Sequence, residues 1–413
     1  MKAFLTVFAV LALTVLLLGC VSHEECEQNN KKYVAVNHSY MKAMWLSQYD
    51  LVDIYTHGGS QRDKNDFEKR IEGILDNVVS LGINTVIVQV RPFGDSIYPS
   101  DVYPMSAISV GAYGKKATYD SFAIIVEQAH LRGLSVHAWI NPLRLMRPDE
   151  IEYIDGRYAV RKWYDKSLGD MVSIVSGRLY LNPAYQSVRD LICEGIREII
   201  DLYPVDGIHI DDYFYPTTDE DFDKIAYRNY FLSDGKMELA EFRREQVNSL
   251  VKQIYSTVKS ANDSVLFGIS PSGVMSNNYK LLYADVERWC REDGFTDYIC
   301  PQIYFGFEHS TCAFDKVCDE FSSMIKNENV RLVIGMSLGK AASGYDAYAG
   351  DGKYEWTRYK DVLRRSFLYT VSLDNCSGIS LFSYQHFFDP ISGLEIESTA
   401  EERKGLIPLI RGK

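Results

Sequence analysis

Eight short β-rich runs, each followed by a polar loop and an amphipathic helical stretch, predict a closed parallel (β/α)8 barrel, the TIM-barrel class, across residues 41–413. Two further observations agree. Glycine-marked junctions recur, as in Leu81-Gly82-Ile83-Asn84 and Arg132-Gly133-Leu134, where a helix ends and an apolar run begins. Six of the eight strands end in clustered polar residues, and this class builds its chemistry at the C-terminal ends of its strands. An open doubly wound sheet is the competing architecture, but no G-x-G-x-x-G or G-x-x-x-x-G-K-[ST] turn supports it.

Taken in order, the chain opens with Met1 and Lys2, then an apolar run over 3–18 that suits a secretory leader and is short for a spanning helix. The run closes on Leu17-Leu18-Gly19-Cys20, which resembles the lipobox of bacterial lipoproteins. That resemblance implies a signal peptide over 1–19 and a lipid on Cys20 that anchors the protein to the bilayer. Polar residues to position 40 read as a tether. Strands are expected over 42–47, 85–91, 135–140, 207–211, 265–270, 298–303, 331–336 and 378–383. Helices are expected over 66–80, 119–132, 185–202, 238–261, 281–292, 314–327, 354–373 and 398–410. The longest loops follow strands 2, 3 and 4.

Composition narrows the function. Hydrophobic content of 46% supports a full core, and a formal charge of −12 argues against nucleic acid and against a polybasic membrane grip. Tyrosine is abundant, at 29 residues against 5 Trp, and rings with polar tips suit stacking on sugars. Beyond Cys20 lie Cys26, Cys193, Cys290, Cys300, Cys312, Cys318 and Cys376, with no C-x-x-C knuckle. Cys312 and Cys318 form the expected local disulfide, and Cys193 and Cys376 read as buried thiols.

The sharpest motif is Asp206-Gly207-Ile208-His209-Ile210-Asp211-Asp212-Tyr213-Phe214-Tyr215-Pro216 on strand 4. Period-2 alternation sets His209 and Asp211 on one face and Ile208 and Ile210 on the other. With the isoleucines under the helices, His209 and Asp211 point into the barrel, and Asp212 follows at the rim. Adjacent carboxylates push one pKa upward, which acid-assisted glycoside cleavage requires. The structural alternative has one aspartate capping the next segment and the other paired with Arg91 or Arg144. Other strand-end candidates for substrate contact are Asp95, Asn141, Gln302, Tyr304 and Tyr384, with Gln48, Tyr49, Asp50 and Gln89 nearby. Arg91 and Arg144 suit a carboxylate clamp, such as one on the lactyl group of muramic acid. Trp45 and Trp139 fit either a sugar platform or barrel packing, and Tyr304 and Tyr384 fit a platform better. His137 reads as a core histidine. No H-x-x-x-H or H-E-x-x-H spacing supports a metal, and neither metal nor cofactor is expected.

The ordered motifs Val90-Arg91-Pro92-x-Gly94-Asp95, His137-Ala138-Trp139-x-Asn141-Pro142-x-Arg144, Leu181-Asn182-Pro183, the strand 4 run, Phe267-Gly268-Ile269-Ser270-Pro271-x-Gly273-Val274 and Tyr298-Ile299-x-Pro301-Gln302-Ile303-Tyr304 resemble the glycoside-hydrolase-like family 10 lipoproteins. The resemblance covers about Met44 to Tyr384 and implies a TIM barrel of glycosidase type. Some relatives are linked to peptidoglycan strands bared of their peptides. Met275-Ser276 and Phe305 depart from the family's common Trp-Arg and Trp, at positions expected near a sugar subsite. Strand 4 also echoes the chitinase-type signature D-x-x-D-x-D-x-E. Asp206 and Asp211 keep their places there, while His209 and Tyr213 replace Asp and Glu.

The expected function is an exported glycoside hydrolase acting on a glycan by carboxylate acid/base catalysis. A substrate 2-acetamido group or a second carboxylate across the cleft, Asp95 or Asp50, completes the site, and retention and inversion both stay open. The alternatives are a carbohydrate-binding lipoprotein without turnover and a metal-dependent polysaccharide deacetylase. The oligomeric state is left open by the sequence.

Overall fold

Eight strands close the barrel: β1 Met41–Leu46, β2 Thr85–Arg91, β3 Ser135–Ile140, β4 Gly207–Ile210, β5 Leu266–Ile269, β6 Tyr298–Ile299, β7 Arg331–Ser337 and β8 Cys376–Phe382. In this computed structural model, which describes residues 33–166 and 170–413, each strand pairs in parallel with its sequence neighbours and β8 returns to β1. The signal peptide, Cys20 and Cys26 lie outside the described residues. The outer helices are α1 Lys64–Ser80, α2 Ser121–Leu131, α3 Gln186–Leu202, α4 Leu239–Ala261, α5 Val286–Trp289, α6 Phe314–Met324, α7 Val362–Val371 and α8 Ala400–Gly412.

Local chemistry sets several boundaries. Asp63 caps α1 by accepting from the Asn65 and Asp66 amides, and Asp120 caps α2 through Phe122 and Ala123. Such caps contribute about 1 kcal/mol each. Gly82 and Gly133 follow with φ of 82° and 71°, the left-handed turn that lets each chain re-enter the sheet.

Alternation then sorts the side chains. Val86, Val88, Val136, Ala138, Ile208 and Ile210 pack outward beneath the helices, while Met41, Ala43, Trp45, Ile87, Trp139, Tyr298, Cys300 and Val333 fill the barrel interior. Small residues make room for the rings inside. A Cβ on Gly207 would sit 2.5 Å from the His137 ring, and one on Gly268 would sit 1.9 Å from Tyr298 Cζ.

Three expectations for the elements are corrected. The helix over 281–292 shrinks to α5 behind a separate turn, Met275–Lys280, and 354–373 splits at 359–361. An unexpected helix, Gln48–Tyr55, follows β1 directly, started by the Ser47/Asp50 capping box. Cys312 and Cys318 are both free, since Cys318 is buried within α6 while Cys312 precedes that helix at a partly exposed position. At the opposite end of the barrel, Asp206 accepts from the amides of Val36 (2.6 Å) and Val136 (2.7 Å). His130 Nε2 lies 2.9 Å from it. Its place in the strand 4 motif therefore serves the barrel's base.

Candidate active site

The C-terminal ends of the strands open into a cleft of about 410 Å³. Its floor is Asp211 and Asp212; its walls include Trp45, Trp139, Tyr180, Tyr213, Tyr304 and Phe382, with Gln48, Gln89, Arg144 and Gln302 between them. Asp211 is buried and receives three N–H donors. Trp139 Nε1 (3.0 Å) and Asn141 Nδ2 donate to Oδ2, and the Tyr213 amide donates to Oδ1 (3.2 Å). Asn141 is itself oriented by Gln89, whose Nε2 donates to Asn141 Oδ1 at 2.7 Å.

Burial and then the Asp212 carboxylate push Asp211 up to about 8, while the donors from Tyr213 and Trp139 pull the other way. Burial also raises Asp212, opposed by the Gln302 amide. Two crowded carboxyls of this kind hold one proton between them at neutral pH. Asp212, half-buried at the cleft surface, is placed to pass that proton to a bound molecule; Asp211 is held in one orientation. Tyr304, stacked on Phe382 at 5.7 Å, keeps its hydroxyl well above the ordinary range through burial and the Cys300 and aspartate charges, so it remains a neutral donor.

Asp211, Asp212, Asn141, Arg144, Tyr213, Gln302 and Tyr304 thus meet at one cleft, with Asn141 acting through Asp211. Four expected contact residues lie elsewhere. Arg91 falls at a register shift between Gln89 and Arg91 against β3, which turns its guanidinium outward over the Tyr103 ring (4.3 Å) and against Gly195. Asp95 is buried in the loop after β2, accepting from the Phe93 amide (2.9 Å) and Tyr113 hydroxyl (3.0 Å). His209 does point into the barrel, but below the cleft, edge-on to Trp45, with Nδ1 2.7 Å from the Tyr298 hydroxyl. Tyr384 is fully buried in the outer layer, where a 3-10 turn stacks it on Phe388 and sets its hydroxyl against Asn77.

Neither Asp50 nor Asp95 faces Asp211 across the cleft. Asp50 accepts from Ser47, Ser383 and the Gln385 amide, so it ties β1 to β8. Phe305 packs against His309 rather than lining the cleft, and Met275 begins the turn that precedes the cleft residue Leu282. Tyr180 had no strand-end signal: it comes from the hairpin Val172–Val175/Arg178–Leu181, docked through a bridge to Arg144. Phe382 was missed because an apolar residue in a strand carries no mark of function. Among the described residues, no group of three His, Cys, Asp or Glu side chains is arranged to hold a metal ion.

The profile of the glycosyl hydrolase-like 10 family matches residues 40–348. The chain belongs to the glycosyl hydrolase-like 10 family. It is 35% identical over 326 residues to glycosyl hydrolase YngK of Bacillus subtilis (strain 168), covering 74% of this chain and 62% of that one. It is 33% identical over 293 residues to glycosyl hydrolase DigH of Escherichia coli (strain K12), covering 64% of each. The matches therefore span less than two thirds of those relatives. Among solved structures, the glycoside hydrolase domain of PgaB (BpsB) from Bordetella bronchiseptica superposes with a TM-score of 0.58 at 11% identity, covering 89% of this chain and 99% of that one. The β-amylase catalytic domain of Paenibacillus polymyxa gives 0.55 at 12% identity, covering 91% and 100%. At these identities both establish the fold alone, a (β/α)8 barrel.

Proposed function

We propose that this protein is an exported glycoside hydrolase, lipid-anchored through Cys20, that cleaves O-glycosidic bonds in bacterial cell-wall glycan strands. The observation that carries this reading is the Asp211–Asp212 pair at the floor of a cleft walled by aromatic rings. Rings of this kind stack on sugar faces, and two carboxyls sharing one proton supply an acid and an anion together. The family membership supports the reaction class, and the lipobox-like end of the leader supports the location.

In the proposed reaction, Asp212 donates its proton to the leaving glycosidic oxygen as the bond to the anomeric carbon breaks. No third carboxylate lines the cleft among the described residues. The carbonyl oxygen of the sugar's own 2-acetamido group therefore closes on the anomeric carbon, while Asp211 accepts from the acetamido N–H and stabilises the cationic ring. Asp212, now ionised, takes a proton from water as the water opens that ring, which restores the acid and retains configuration. The test is to incubate the protein with purified glycan strands, with and without peptides, alongside Asp211→Asn and Asp212→Asn. Shortened strands with new reducing ends, lost in either variant, support the reading. Binding without cutting would leave a carbohydrate-binding lipoprotein, anhydro ends would mean a lyase, and neither cutting nor binding would remove the cell-wall assignment.

A further inference from the structure

The chain between β7 and α7, residues 338–361, leaves the barrel at the end where the cleft opens. Its underside is fixed. Buried Glu355 accepts from the Phe307 and Glu308 amides at 3.0 and 2.8 Å and pairs with Arg365 at 3.1 Å. The Ser310 amide donates to the Ala349 carbonyl at 3.1 Å, and Gly352 lies so close to the Glu308 backbone that a Cβ has no room. Trp356 is sunk in the core, and buried Asp346 holds Lys340 at 2.9 Å. This excursion is therefore clamped to the loop after β6, the same loop that carries the cleft residues Gln302 and Tyr304.

Its outer side carries tyrosines. Tyr348 is 85% exposed, while Tyr345 and Tyr354 are about half exposed, with ring centroids 5.6 Å apart. Tyr359 adds a fourth exposed ring. The other exposed tyrosines among the described residues, Tyr49, Tyr153, Tyr213 and Tyr279, are scattered along the chain. Leu338 and Trp356, the remaining large apolar side chains of the excursion, are buried. Charge is balanced there: Lys340, Lys353, Arg358 and Lys360 stand against Asp346, Asp351, Glu355 and Asp361.

This composition selects among partners. A membrane-binding face carries aliphatic side chains and an excess of positive charge, and the excursion exposes neither. The core of a protein interface is depleted of charge, whereas here Lys353 Nζ lies 5.1 Å from the centroid of the Tyr354 ring. Rings with polar tips, on a backbone held from below and with no net charge, match the C–H faces of sugar rings. We propose that the excursion is an accessory glycan-binding surface, on which Tyr345, Tyr348 and Tyr354 stack against pyranose rings of a strand whose reacting part lies in the cleft. The proposal rests on the cleft being a glycan site, as proposed above, and adds a second contact outside it. The family profile ends at residue 348, inside the excursion, so family membership assigns this surface no role.

A second contact on one strand raises the local concentration at the first, and the gain vanishes for a ligand too short to reach both. Equilibrium binding is therefore read by calorimetry on the intact protein, in an Asp212→Asn background that keeps the ligands whole. The ligands are peptide-free cell-wall glycan strands and short fragments of them that fill the cleft alone. Tyr348→Ala removes the most exposed ring, whose loss leaves folding untouched, and a Tyr345→Ala/Tyr354→Ala variant removes the other two. Each is expected to weaken long strands about tenfold and to leave fragments unchanged. Tyr348→Trp, which keeps a stacking face, is expected to bind long strands as the parent does. Long strands held equally well by the alanine variants, or an equal loss on strands and fragments, would overturn the surface. Fragments that fail to bind, with long strands still sensitive to the tyrosines, would remove the cleft reading and leave the surface standing. Reducing ends released by the unmodified protein test hydrolysis separately, since binding on the excursion needs no turnover.

Discussion

Trp139 offers the sharpest test of how Asp211 is held. Its indole N–H donates to Asp211 Oδ2 at 3.0 Å, and Trp139→Phe removes that donor while keeping an aromatic ring in the barrel interior. A hydrogen bond to a charged group contributes about 1.5–3 kcal/mol, and about 1.4 kcal/mol corresponds to one pKa unit. Loss of the donor disfavours the ionised form, so the Asp211 pKa rises further by about one to two units. The proposed mechanism needs Asp211 ionised. The acid limb of the kcat/KM profile is set by the first ionisation of the pair, the step that leaves an anion on Asp211 and one proton behind, so it must move to higher pH by about one unit or more, with the largest loss on the acid side. The assay is the initial rate of reducing-end release from glycan strands across the pH range. Trp45→Phe is the control: it is a neighbouring ring 4.7 Å from Trp139, but its N–H donates to Ser380 Oγ (2.9 Å). Both variants lose core volume, at a cost of a few kcal/mol or less, so a lowered Tm in each is expected and decides nothing. An acid limb that stays in place in Trp139→Phe, or moves equally in Trp45→Phe, would refute the argument.

Other outcomes follow from the same geometry. With Asp211 raised to about 8, the pair loses its shared proton near that pH, so the rate falls on the alkaline side; in Asp211→Asn the like charge is gone and any residual activity falls off at lower pH. Arg243→Ala breaks a fully buried pair in which Arg243 meets Asp223 at 2.6 Å and the Tyr283 hydroxyl at 3.0 Å. It should cost about 3–5 kcal/mol by denaturant unfolding, and a loss under about 1 kcal/mol would show the pair to be unimportant. Asp206→Ala leaves the Val36 and Val136 amides without their carboxylate, at about 1–3 kcal/mol each. Unfolding should register that loss while kcat of the folded protein is unchanged, and a selective fall in kcat would place Asp206 in the chemistry instead.

The barrel was legible because its signals are local and repeated. Alternation through Ile208, His209, Ile210 and Asp211 was enough to orient β4, and the glycines at 82 and 133 marked where helices give way to strands. What failed were the places where a strand end departs from regular pleating. The irregularity between Gln89 and Arg91 turns one strand-end arginine outward, and nothing in Val90-Arg91-Pro92 announces it. Tyr384 follows the end of β8 more closely than Tyr304 follows the end of β6, yet the turn Tyr384–His386 carries it away from the opening. Tyr180 reaches the cleft only by tertiary docking of a hairpin.

A separate departure from regular pleating, at the end of β4, explains how consecutive aspartates come to share one opening. On a continuing strand Asp212 would alternate to the outer layer, beneath the helices, where an unpaired carboxylate is costly. β4 stops at Ile210, after only four residues, and the chain turns at once; the Phe214 amide donates to the Asp212 carbonyl at 2.9 Å. Tyr215 and Phe214 anchor that turn in the core, with Arg243 5.3 Å from the Tyr215 ring. Asp211 therefore keeps the inward direction set by the strand, and Asp212 acquires the same opening from the turn. The crowding that adds to burial in raising Asp211 is a product of where the strand ends.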